Sequence, residues 1–191
     1  MTGGEPFAKI IEFAMNRPLT LAADSSSPVP VALRSITASD LEDLRSWKNA
    51  NRLSFFFKGE ITAPMQAAWF QGYLARPQDF MFAVESAGQR AGCMGFRIQD
   101  AAADCYNIIG LPAVSGRGIM AAGMRLMCSF ILAEQTPAVG LQVLKANPAA
   151  TWYQKKCCFS VVGEGSDYFQ MRLDMARFKA CSYKKSAEVG T

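Results

Sequence analysis

Between residues 105 and 145 the chain reads as strand, glycine-bearing turn, long apolar helix and second strand, and that order constrains the fold more than any other feature. Cys105 to Leu111 is a short apolar run closed by Pro112. Ser115-Gly116-Arg117-Gly118 follows, then an apolar helix over about Ile119 to Glu134, then a strand over Val139 to Lys145. A connection of this length carries the chain back to the start of the first strand. The second strand therefore lies parallel to its neighbour through a right-handed crossover.

The other elements surround this unit. Val31 to Ile36 alternates like an edge strand, Thr37 to Asp40 offers a helix N-cap, and Leu41, Leu44 and Trp47 then recur at helical spacing. Thr62-Ala-Pro64 caps a second helical pattern in Met65, Trp69, Phe70 and Tyr73, which stops before Pro77. Phe80 to Glu85, Ala91 to Ile98 and Cys105 to Leu111 have short connections, so they predict an antiparallel meander. A helix over about Ala149 to Lys156 and a hairpin of Phe159 to Val162 with Asp167 to Leu173 complete the pattern. The expected class is α/β, a mixed and mostly antiparallel central sheet flanked by helices. We divide the chain into an N-terminal extension and Ser/Pro linker (1–30, with an amphipathic segment over Phe7 to Met15), a domain over 31–174, and a basic C-terminal tail (175–191) expected to be loosely held and peripheral.

Composition narrows the chemistry. Of 191 residues half are apolar and 19% charged, enough for a substantial core. The net charge of +4 lies mostly in the tail, with Arg177, Lys179, Lys184 and Lys185 against Glu188, so the body is not expected to bind nucleic acid. The most apolar stretch, Ile119 to Ala133, is broken by Arg125 and Ser129, which argues against a membrane span. Glu5, Lys9 and Glu12 interrupt the N-terminal apolar stretch, which argues against a secretory leader and for a cytoplasmic protein. Six Cys lie scattered without paired CxxC spacing and read as reduced, mostly buried small hydrophobes; no metal is expected. The chain has no His, which excludes imidazole-based triads, HExxH sites and any imidazole base.

Glycines at 116 and 118, ahead of a helix N-terminus, can turn backbone N–H groups toward an anion such as a pyrophosphate. The spacing is neither GxGxxG nor GxxxxGK[ST], so dinucleotide and P-loop readings are unsupported. Pro112 to Met120, with Asn147-Pro-Ala-Ala150, Lys156 and Phe159 downstream, resembles the GNAT superfamily of acetyl-CoA-dependent N-acetyltransferases over about residues 31 to 174. The resemblance implies the acyl-CoA N-acyltransferase fold, acetyl-CoA as acetyl donor, a pyrophosphate site at Ser115, Gly116, Arg117, Gly118, Ile119 and Met120, and a pantetheine contact at Asn147. Met120 in the last motif position is similar to the branch that acetylates ribosomal-protein N-termini. The same resemblance implies that the strand through Ile109, Gly110 and Leu111 splays from Leu141 to Lys145, with the cofactor in the wedge and an amide near Ile109 facing the tetrahedral oxyanion.

Proton handling is a question of magnitude. A lysine amine costs about 4.6 kcal/mol to deprotonate at pH 7 and an α-amine about 1, so without His a weakly basic acceptor amine is favoured. Tyr153 falls one residue short of the family's usual acid position, Gln154; it is either the acid toward the thiolate or a buried aromatic on the sheet. Glu85 and Asp104, at predicted strand ends, are candidate bases or solvated carboxylates. Trp47-Lys48-Asn49, Phe55-Phe56-Phe57, Glu60-Ile-Thr62 and Trp69-Phe70 are similar to amino-sugar N-acetyltransferases that act on nucleotide-linked sugars, which implies acceptor contacts at Trp47, Lys48, Asn49 and Phe57. For each Trp a helix–helix core is the competing role. At least one of Phe55 to Phe57 must face a pocket or a homodimer surface. The expected reaction is direct acetyl transfer to a primary amine of a small acceptor, with an N-terminal or other small-amine acetyltransferase, or a silent acyl-CoA-binding module, as alternatives.

Overall fold

The computed structural model describes residues 19–187. The segment over Phe7 to Met15 lies outside the described residues. Nine strands form one sheet in the order β7-β8-β6-β5-β4-β3-β2-β1-β9. They are β1 (Thr20–Ala23), β2 (Ala32–Ser35), β3 (Asp79–Ser86), β4 (Gln89–Gln99), β5 (Ala102–Gly110), β6 (Val139–Leu144), β7 (Phe159–Glu164), β8 (Tyr168–Leu173) and β9 (Tyr183–Ser186). The helices are α1 (Leu41–Ala50), α2 (Ala63–Leu74), α3 (Ile119–Glu134) and α4 (Ala149–Lys156). Every pairing is antiparallel except β5 with β6, the pair joined by the α3 crossover.

Side-chain alternation sorts the sheet into two cores. On one face Phe82, Val84, Met94 and Phe96 pack with Leu126, Met127, Phe130 and Ile131 of α3 and with Tyr153 of α4. The Phe80 and Phe96 rings stack at 4.6 Å there. The opposite face carries Met81, Cys93 and Ile109, covered by Leu44 of α1 and by Phe70 and Tyr73 of α2. Thr62 caps α2 by accepting the Met65 amide, with Pro64 in the first turn as the sequence pattern predicts.

One irregularity interrupts the alternation. Cys93 pairs with Ile109 but Gly95 pairs with Tyr106, so β5 carries one residue more than β4 over this interval. Asn107 absorbs it in the left-handed region at φ 49°. Parity then resets: Cys105 and Ile108 face the α3 core, while Tyr106 and Ile109 face the α1–α2 core. The strands come so close here that a Cβ at Gly92 would collide with the Ile109 carbonyl oxygen, which only glycine permits.

The sheet continues across both boundaries, at 31 and at 174. Thr20 to Ala23 pairs with β2 on one side and with Tyr183 to Ser186 on the other. Leu21 is fully buried, and Phe178, Cys181 and Tyr183 pack against the larger core. The Tyr183 hydroxyl donates to Glu134 at 2.8 Å, Lys185 pairs with the same carboxylate, and Arg125 donates to the Lys179 carbonyl at 2.7 Å. The basic tail thus includes a paired strand, and Phe178, Cys181 and Tyr183, interspersed among its lysines, anchor it to the core. Removing residues 176 to 191 should lower unfolding free energy by roughly 3–5 kcal/mol, through lost burial and hydrogen bonds. Urea denaturation of the truncated and full chains measures the difference.

Candidate active site

Two cavities meet beside the Asn107 bulge. The first follows from incomplete pairing of β5 and β6. Their parallel ladder covers Ala103–Val139, Asp104–Gly140 and Cys105–Leu141 and then stops. Beyond it β5 stays with β4 and β6 stays with β8, out to Leu144 opposite Tyr168. The facing edges of β5 and β6 therefore diverge with backbone N–H and C=O groups available to a guest. The wedge, about 290 Å³, is lined by Asp104 to Ile108, Leu141 to Leu144, Asn147 and Tyr153, and is roofed by Ser54 to Phe57.

The loop before α3 supplies a second set of donors. Gly116 and Gly118 have φ of 76° and 75°, a conformation that explains why glycine stands at both positions. The Ser115 and Arg117 amides are taken by the Pro112 and Val114 carbonyls, and the Gly118 carbonyl accepts the first helical bond from Ala122. Among the described residues the amides of Gly116, Gly118 and the opening turn at Ile119 and Met120 have no backbone acceptor, so they present donors at the positive end of a 16-residue helix. Ser115 to Gly118 are exposed, and Met120 packs over Gly110 at the end of β5, which leads toward Leu111.

The second cavity, about 340 Å³, lies between α1, α2 and the sheet. Leu44, Phe57, Ile61, Met65, Trp69, Met81 and Ile109 make it apolar; Gln66, Asn107, Cys93 and Lys48 supply its polar atoms. Among the described residues no carboxylate lines it. Lys48, Phe57 and Asn107 line both cavities and mark the junction.

Electrostatics at that junction are unusual. The Lys48 ammonium donates to Asn107 Oδ1 and sits 3.5 Å from the centroid of the Phe55 ring. Burial, outweighing the attraction of the Cys93 sulfur and aided by Arg97, lowers its pKa to about 8. Cys93 is pushed up to about 12 by burial, despite the nearby Lys48 and the Ile109 amide, so it is a neutral thiol and no nucleophile. The other free cysteines are buried or half-buried.

The remaining predicted residues separate into those at the cavities and those elsewhere. Tyr153 does line the wedge, because Pro148 begins α4 with helical angles and sets the register that brings this side chain inward. It is 6% exposed, its ring meets Phe159 edge-on, burial raises its pKa well above the usual phenol value, and its hydroxyl has no hydrogen-bond partner among the described residues. Asp104 sits at the closed end of the wedge, 3.6 Å from Arg97 Nε, and burial raises its pKa against the pull of that guanidinium. Asn147 lines the wedge with its side chain already engaged: it donates to the Ser54 carbonyl at 3.1 Å and accepts from the Ala149 amide at 2.9 Å, tying the roof to α4.

Glu85 lies outside both cavities. It accepts from Arg34 Nε at 2.9 Å, and Arg34 in turn makes a two-bond pair with buried Asp40, so this carboxylate belongs to a buried charge network rather than to the cleft. Asn49 is likewise occupied, donating to the Ile61 carbonyl at 2.9 Å and accepting the Ile61 amide at 2.8 Å, which pins the loop from 51 to 61. Trp47 packs in the α1–α2 core and lines neither cavity. Sequence reasoning did not single out Asn107, Gln66 or Arg97, and it placed Trp69 and Phe55 in the aromatic pattern without giving either a contact of its own. Only Asn107 carried a local signal, since an Asn inside a strand tolerates the left-handed conformation that a bulge demands.

Residues 31–159 match the family model described as an acetyltransferase (GNAT) domain, and the chain belongs to that family. The chain is accordingly an N-acetyltransferase of the GNAT class. No curated protein sequence matches it. Solved structures share the fold at low identity. The apo form of FdhC, a nucleotide-linked sugar GNAT, superposes at a TM-score of 0.65 with 13% identity over 78% of this chain and 88% of that one. The Vibrio cholerae spermidine N-acetyltransferase with CoA and spermine gives 0.61 and 20% over 78% and 97%. The ribosomal L7/L12 α-N-protein acetyltransferase RimL gives 0.61 and 17% over 80% and 92%. Among the described residues no group of His, Cys, Asp or Glu is arranged to hold a metal, and no helix is long and apolar enough to cross a membrane.

The altered Lys48 is directly measurable. In competitive acetic-anhydride labelling read by mass spectrometry, Lys48 should titrate with a midpoint near 8. That midpoint lies below the value of about 10.4 for an unperturbed lysine side chain in a model peptide, which serves as the reference in the same experiment.

Proposed function

We propose that this chain transfers the acetyl group of acetyl-CoA to the primary amine of a small, weakly basic acceptor, and that the acceptor is a nucleotide-linked amino sugar. The donor reading rests on the wedge and the glycine loop together. A linear amide-bearing arm fits between the two diverging edges, and a pyrophosphate fits the free amides at the mouth of α3. The attacking nitrogen then approaches from the second cavity, across Lys48 and Asn107, and displaces the thiolate in a single ternary complex.

The acceptor reading rests on the charge of that second cavity. A polyamine or lysine side chain arrives as a cation and would meet an apolar wall, no carboxylate and the Lys48 ammonium. Its charge would go unpaired, at a cost of several kcal/mol. A sugar amine near neutrality avoids that cost. Its ring fits about 340 Å³ against Trp69 and Phe57, its hydroxyls meet Gln66 and Asn107, and an attached diphosphate extends toward Arg52 in the turn that follows α1. Tyr153, held protonated by its surroundings, donates a hydrogen bond to the sulfur as the carbon–sulfur bond breaks. Trp47 and Asn49 support this cavity from behind, as packing and as a loop clamp. The single observation that carries the choice of acceptor is the lack of any carboxylate in the lining of a cavity that holds a lysine.

Thiol release from acetyl-CoA with a panel of amines tests the proposal. A uridine-diphosphate-linked 4-amino sugar should give kcat/KM at least about 10-fold above spermidine and above a lysine-containing peptide, consistent with the ionisation costs of those amines. Faster turnover of spermidine would contradict the acceptor reading. A peptide α-amine as the best substrate would move the acceptor to protein N-termini. CoA binding with no amine consumed would favour a silent module.

A further inference from the structure

The reaction must move one proton from the attacking nitrogen to the departing sulfur. In this chain no imidazole exists to carry it, and neither candidate carboxylate stands at the junction: Glu85 is held by Arg34 outside the cavities, and Asp104 lies at the closed end of the wedge, 3.6 Å from Arg97 Nε. Tyr153 is a poor carrier, because a phenol raised well above a thiol of about 8.5 gives its proton to a thiolate uphill. One ionisable nitrogen remains at the junction itself.

We propose that Lys48 is the proton shuttle of the transfer, accepting the proton of the acceptor amine in its neutral form and delivering it to the thiolate of coenzyme A. This rests on the acetyl-transfer reading and adds a catalytic residue to it. The geometry is specific. Lys48 lines the acceptor cavity and the wedge at once. Its Nζ is fixed on Asn107 Oδ1, at the bulged residue of β5 where the two cavities join, and its position over the Phe55 ring limits its travel. Among the described residues it has no carboxylate partner, so no ion pair locks it in the charged form.

The step balances without any further reagent. The neutral acceptor amine attacks the thioester carbonyl, forming the C–N bond and leaving a proton in excess on nitrogen. Neutral Lys48 takes that proton. The tetrahedral intermediate collapses, the C–S bond breaks, and the Lys48 ammonium protonates the sulfur, which restores neutral Lys48 and releases amide and free thiol. A pKa of about 8 suits both halves, since it lies close to that of a thiol and leaves a substantial neutral fraction at mildly alkaline pH. The groups facing Lys48 are Cys93 and Arg97 from β4 and Tyr106 and Asn107 from β5, with Tyr153 and the Asp104–Arg97 pair across the wedge. The Cys93 and Tyr106 side chains stay neutral through this range, so the titration is set by burial and by Arg97.

Acetyl-CoA turnover with the uridine-diphosphate-linked amino sugar, over pH 6 to 10, tests this in the full chain. For the unaltered protein kcat/KM should rise with pH through a midpoint near 8. Lys48→Met should lose 10²-fold or more and lose that limb, in line with general acid–base contributions of about 10²–10⁴. CoA affinity by calorimetry should stay within about threefold, which also shows that the variant is folded. Lys48→Arg should be equally impaired, because guanidinium keeps its proton. Lys48→Ala should be partly rescued by trimethylamine, which cannot itself be acetylated. Activity of Lys48→Arg within threefold of the unaltered protein would overturn the shuttle in favour of simple charge, and an active Lys48→Met or an unmoved pH profile would also overturn it. If the unaltered chain binds CoA but consumes neither the sugar nor any other amine, the acetyl-transfer reading falls and the shuttle with it.

Discussion

The parallel ladder between β5 and β6 ends after three residue pairs, and the site depends on that early ending. Each strand is held by its other neighbour, β5 by β4 and β6 by β8, so the two diverge without either fraying. A continuous ladder would satisfy the same backbone groups internally and leave no opening. The bulge at Asn107 contributes to the divergence by adding twist and a residue to β5 at the point where pairing with β6 has stopped. Gly92 makes the bulge possible by letting the Ile109 carbonyl approach the neighbouring backbone.

The bulge also distributes side chains between the two faces. By resetting side-chain parity it sends Ile108 toward the wedge and Ile109 toward the second cavity, and it places the Asn107 amide where it can hold Lys48. A lysine on α1 is thereby drawn down between two cores instead of reaching solvent. Its low pKa is a consequence of position: apolar walls from both cores strip water from the ammonium, and the Arg97 guanidinium adds a repulsion of like sign. The same lack of carboxylates separates this cavity from one built to receive a polycation.

Much of the fold was legible because period and punctuation agree. The run from Ile119 to Glu134 has the apolar density of a buried helix and is preceded by two glycines, and the structure forms α3 over those residues. The strands around it are bounded by Gly, Pro and Asp in the way hairpins require, and their short connections impose the meander. The two end strands were not legible. Thr20 to Ala23 and Tyr183 to Ser186 are each four residues long, too short for alternation to stand out, and they pair with each other across the whole length of the chain. Within the site, residue type was readable where backbone conformation dictates it, as at Gly116 and Gly118, whereas Lys48 stood out only through a resemblance that implied an acceptor contact. The roles of Glu85 and Asn49 were not readable, because their partners Arg34 and Ile61 are brought to them only by the fold.

The central claim is that diverging β-strand edges and the amides at the mouth of α3 together hold coenzyme A. Backbone amide shifts of the ¹⁵N-labelled chain, followed while CoA is titrated in, test it most directly. The account predicts that Gly116, Gly118, Ile119 and Met120, with Tyr106 to Ile108 and Gln142 to Leu144, move together and saturate at a single site. Saturable binding that leaves those amides in place, or no shift at all, would contradict it.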